Sequence, residues 1–163
     1  MKYSESEKFY RDILRIHRDI RRLTERRQEL EFKSLTASPQ YNRIGGTNRG
    51  HTDRTGHTAI LITECDEKIA EKSAELKLKL DLMRKYIKQI KDVSENESNN
   101  AIFEEQMILY ERFINNASWN QILDCVYVSR RTMFLRYESA SKKVDRLIRE
   151  SKERLREELK NRR

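Results

Sequence analysis

The chain has 163 residues, of which 38% are charged and 36% hydrophobic, with four glycines, one proline and a net charge of +8. So few breakers among so many Lys, Arg, Glu and Leu favour long helices over sheets, and the modest apolar supply suits helices paired along narrow seams. Cys65 and Cys125 lack disulfide or zinc spacing, MKYSESEKFY has no apolar signal core, and no run is long enough for a membrane span, so the expectation is a cytoplasmic protein with no membrane association.

The first predicted helix runs from Ser6 to Leu35. Phe9, Ile16, Leu23 and Leu30 recur every seven residues, with Ile13, Ile20 and Arg27 in the alternate seam position. That is the a/d pattern of a coiled coil with one charged intruder. Residues 36–58 follow as a predicted loop containing Pro39 and all four glycines, made basic by Arg43, Arg49 and Arg54. Such a cluster breaks both helix and strand. The second predicted helix runs from Ala59 to Asp92, with Ile62, Ile69, Leu76, Met83 and Ile90 again at seven-residue spacing. Asp66, Ser73, Leu80 and Ile87 take the alternate position. Two helices of similar length, each with one seam, satisfy each other as an antiparallel hairpin, in which Arg27 and Asp66 both fall near the loop end and pair. Pairing between chains satisfies the same seams. Residues 1–94 are therefore expected to form a helical coiled-coil hairpin, 95–100 a polar linker, and 101–163 a separate domain.

That last segment carries the functional signal. Residues 129–163 hold thirteen Lys/Arg against six Asp/Glu, a net of +7, while residues 101–128 are net acidic. A local positive field suits a polyanion. Three helical patterns follow in close order. Ile102 to Ile114 places Phe103, Met107, Tyr110 and Ile114 on one face, and Asn115–Asn116–Ala117 breaks it. Ser118 with Gln121 has capping-box spacing and opens a short helix from Trp119 to about Cys125, burying Trp119, Ile122 and Leu123. Val126–Tyr127–Val128 turns the chain. Ser129 caps a third helix that directs Met133, Tyr137, Ala140, Val144 and Leu147 inward.

A short helix, a tight turn and a longer helix make a helix-turn-helix, whose second helix enters the DNA major groove with its N-terminal residues at the base edges. On the face opposite Met133 and Tyr137 lie Arg130, Arg131, Phe134 and Leu135. The two guanidinium groups suit guanine O6 and N7, and Phe134 and Leu135 suit thymine methyls. Ser129, Thr132, Arg136, Lys142 and Lys143 are assigned to phosphates, which position a protein without reading sequence. Tyr127 stands where this motif often has Gly in a left-handed conformation.

With those residues in view, ASWNQILDCVYVSRRTMFLRYESA resembles the sigma-region-4-like helix-turn-helix of phage late-gene transcriptional regulators of the RinA/ArpU type. Ser118, Trp119, Ile122, Ser129, Arg130, Thr132, Tyr137 and Ala140 carry the likeness. Ser38–Pro39, Gly45, Gly46 and Asp53–Arg54–Thr55–Gly56 add a loop similar to that of small phage proteins of this group. Leu123 and Tyr127 depart from the pattern. The resemblance implies a phage- or prophage-encoded activator that binds double-stranded DNA in a bacterial host and helps recruit RNA polymerase.

Other chemistry is weakly supported by the residues. His51, Asp53 and His57 lack a fourth metal ligand, and no phosphate loop, nucleophile elbow or paired-carboxylate arrangement stands out, so neither catalysis nor a cofactor is expected. The sequence reading is an all-α, non-enzymatic DNA-binding regulator, a homo-oligomer of two or four chains. The alternatives are a small terminase subunit for DNA packaging and a coiled-coil adaptor without DNA contact.

Overall fold

The computed structural model describes residues 4–36, 54–94 and 97–161. They form five helices and no strand: α1 (Glu5–Thr36), α2 (Arg54–Val93), α3 (Asn99–Phe113), α4 (Trp119–Val126) and α5 (Arg130–Asn161). None of these helices is long and apolar enough to cross a membrane. The second helix begins five residues before the expected Ala59. Gly56 and His57 therefore lie in its first turn rather than in a loop, and Arg54 is its first residue. Arg43, Arg49, His51 and Asp53 lie outside the described residues.

The chain divides into two compact units, Met1–Leu14 with Lys77–Arg163, and Arg15–Leu76. The division falls inside α1 and α2, and not at the expected 95–100 linker. The physical reason is a shared core. Tyr10 of α1 and Met83, Tyr86, Ile87 and Ile90 of α2 are buried in one cluster with Leu109, Phe113, Ala140, Val144, Leu147 and Ile148. Tyr10 meets Phe113 edge to face at 5.1 Å between ring centres. The Tyr10 hydroxyl donates to Asn116 Oδ1 at 2.7 Å. Local chemistry sets the start of α1: Ser4 Oγ accepts the Glu7 N–H at 3.2 Å, and Glu5 and Glu7 place negative charge at the helix N-terminus. The buried Ser6 donates its N–H to Asp145 of α5.

In the unit Arg15–Leu76, Ile16 and Cys65 are buried, while Ile20, Leu23, Leu30, Ile62, Ile69 and Leu76 are half-buried. These are seam positions of the heptad pattern, apart from Cys65. Arg27 of α1 pairs with Asp66 of α2 and also with Glu31 one turn along. The Asp66 carboxylate beside it raises the Arg27 pKa further.

The face of α3 differs from the expected one. Ala101, Ile102, Glu105, Ile108, Leu109 and Phe113 are buried, whereas Phe103 and Tyr110 are exposed and Met107 and Ile114 half-buried. Two apolar stripes run along this helix one residue apart. The packed stripe contains a carboxylate, which is compatible with burial because Lys143 of α5 reaches it.

Candidate nucleic-acid interface

α4 is built by its caps. Ser118 Oγ accepts the Gln121 N–H, and the Gln121 side chain accepts the Ser118 N–H at 2.8 Å, a complete capping box. Ile122 and Val126 are the buried residues of this helix, while Trp119 and Leu123 are half-buried. Val126, expected in the turn, is the last helical residue. Ile122, Val126, Ile108 and Met133 form a second core joining α3, α4 and α5. Trp119 contributes at its edge. Its ring centre lies 4.8 Å from Tyr137 and 5.0 Å from Phe134, with the Arg112 guanidinium 4.7 Å above it. Burial pushes the Tyr137 phenol pKa up.

The chain leaves α4 through Tyr127, which has φ 52° and ψ 32°, the left-handed conformation that Gly adopts most readily. Ser129 then caps α5. Its Oγ accepts the Thr132 N–H at 3.1 Å and lies 2.8 Å from the Thr132 hydroxyl. Met133, Ala140, Val144 and Leu147 point inward at the expected spacing, with Tyr137 half-buried.

Arg130 and Arg131 occupy the first turn of α5, exposed, and neither forms an ion pair among the described residues. Leu135 is 59% exposed. Phe134 is 38% exposed, with part of its ring on Trp119. The residues assigned to phosphate separate into two groups. Ser129 and Thr132 sit at the helix N-terminus, and Lys142 is exposed beside Glu138, whose carboxyl it holds below its usual pKa range. Arg136 and Lys143, also assigned to phosphate, are engaged with acidic partners of the same chain. Arg136 pairs with Glu104 at 3.2 Å. The Lys143 side chain is only 13% exposed and bonds Glu97 and the fully buried Glu105, each at 2.6 Å.

Two cations escaped the sequence assignment. Arg146 and Arg149 are exposed and follow Lys142 by four and seven residues, on the same face of α5 as Arg131. The signal was present in that spacing. Arg146 pairs with Glu150 on the surface, and Arg149 donates to the Asp145 carbonyl. Among the described residues no group of three or more His, Cys, Asp or Glu is arranged to hold a metal ion. Comparison with protein-family models, curated proteins and solved structures finds no significant match to this chain.

Proposed function

We propose that α4, the Tyr127 turn and α5 form a helix-turn-helix that reads double-stranded DNA, and that the chain is a sequence-specific transcriptional regulator. The observation that carries this reading is the pair Arg130 and Arg131. Two adjacent, exposed guanidinium groups without acidic partners among the described residues stand on the first turn of a capped helix. That helix is held against α3 and α4 by a packed core. This is the placement that base-edge recognition in a major groove requires. Phe134 and Leu135 supply apolar surface beside them. Ser129, Thr132, Lys142, Arg146 and Arg149 serve the phosphates, the last two replacing Arg136 and Lys143.

The remaining helices fit a homo-oligomer. Within Arg15–Leu76, the seams of α1 and α2, locked by Arg27 and Asp66, read as a coiled-coil hairpin. A two-fold dimer places two recognition helices on half-sites one turn of duplex apart. The likeness of the Ser118–Ala140 pattern to RinA/ArpU-type regulators gives the reading its biological form, a late-gene activator of a phage or prophage acting beside RNA polymerase.

Duplex affinity as a function of salt tests it. With three cationic phosphate contacts per chain, six in a two-fold dimer, the log of the binding constant falls against the log of salt concentration with a slope of about −5. Absence of duplex binding at moderate salt contradicts the reading and favours an adaptor.

A further inference from the structure

Among the described residues, two non-glycine residues have positive φ, Asn116 and Tyr127. Asn116 is explained within the fold, because Asn tolerates this conformation and its side chain accepts the Tyr10 hydroxyl. Tyr127 has no such explanation. Its side chain is 93% exposed and makes no hydrogen bond or ring contact with the described residues. A Cβ is disfavoured in this conformation, and a large ring in water adds no packing to offset it. Gly would close the same turn without either penalty.

We infer that Tyr127 is a nucleic-acid contact, its phenolic hydroxyl donating to a phosphate oxygen at the edge of the groove that α5 enters. This rests on the helix-turn-helix reading above and adds a residue to it. The geometry favours phosphate over base. Tyr127 lies three residues before Arg130, at most about 11 Å away along the chain. A helix with its side chains is about 10–12 Å across, close to the width of the major groove, so the turn feeding its first residue lies over the groove wall. Phosphates form that wall, and Tyr hydroxyls are among the neutral donors that bind them.

The full-length protein and two variants, Tyr127→Gly and Tyr127→Phe, test the inference. The probes are the duplex recovered most often from a random pool by the wild-type protein, and a random duplex. Tyr127→Gly is expected to raise the thermal midpoint by about 2–4 °C while weakening the selected duplex roughly two- to tenfold. Tyr127→Phe is expected to weaken binding similarly with an unchanged midpoint. Because the contact is uncharged, neither variant changes the salt slope. Wild-type affinity in Tyr127→Gly overturns the inference and leaves the exposed ring to a different partner. Wild-type affinity in Tyr127→Phe overturns the hydrogen bond. A lower midpoint accompanying lost affinity also overturns it, since folding is then what was lost. Failure of the wild-type protein to bind either duplex overturns the helix-turn-helix reading itself, and the inference with it.

Discussion

Lys143 shows how charge alone misleads at the level of one residue. It belongs to the basic segment and lies one position from an exposed lysine, so composition assigns it to DNA. Its ammonium instead bonds Glu97 and Glu105, and Glu105 is completely buried in the packed face of α3. Nothing local reveals this, because Glu105 lies 38 residues away and reads as a solvent-facing acid. Removing the cation strands a carboxylate in the interior. Lys143→Met is therefore expected to destabilise the fold by about 3–5 kcal/mol in chemical denaturation, whereas the double variant with Glu105→Leu recovers most of that loss. Equal stability of the single variant and the wild type would mean that Glu105 is not held as a buried charge. By contrast, Met133, Ala140, Val144 and Leu147 were legible, since their spacing follows the helix period. So was the Ser118–Gln121 capping box, a contact between residues close in sequence.

Among the elements, α4 and α5 were readable because caps and periodicity are local, whereas for α3 the helix was readable and its buried face was not. Its two stripes, Ile102–Leu109–Phe113 and Phe103–Met107–Tyr110, are both apolar, and only tertiary packing selects between them. The division of the chain was hidden for a related reason. The seam of α2 continues without a break through Leu76 and Met83, so the heptads do not mark where its partners change. The attachment of α1 to α5 includes an electrostatic tie. Glu5 bonds Lys152 and Lys8, and these ammonium groups lower its carboxyl pKa from 4.5 to about 2. A carboxyl with a lowered folded-state pKa adds stability that is fully present above its ordinary pKa. That contribution disappears as pH falls from about 4.5 towards 2. The pair is exposed and its contribution small. Glu5→Gln is expected to flatten the loss of thermal stability in this window while leaving the profile above pH 5 parallel to wild type. An unchanged acid limb would mean that the Glu5 ties do not act in solution.

For the whole molecule, the sequence conveyed the all-helical class and both heptad-bearing helices, and the structure adds which cations of the basic segment are engaged by acidic partners. Of the polar and basic groups assigned to phosphate, Arg136 and Lys143 stabilise the packing of α3 against α5, while Arg146 and Arg149 extend the outward basic face that begins at Arg131. Under the proposed function, base discrimination belongs to the first turn of α5. Its most direct measurement is the affinity of Arg130→Ala and Arg131→Ala for the duplex selected by the wild-type protein and for a random duplex, with helicity recorded for each. Each variant is expected to lose about 1–3 kcal/mol on the selected duplex, and clearly less on the random one, at unchanged helicity. Equal losses on both duplexes, or none on either, would contradict base reading by these arginines.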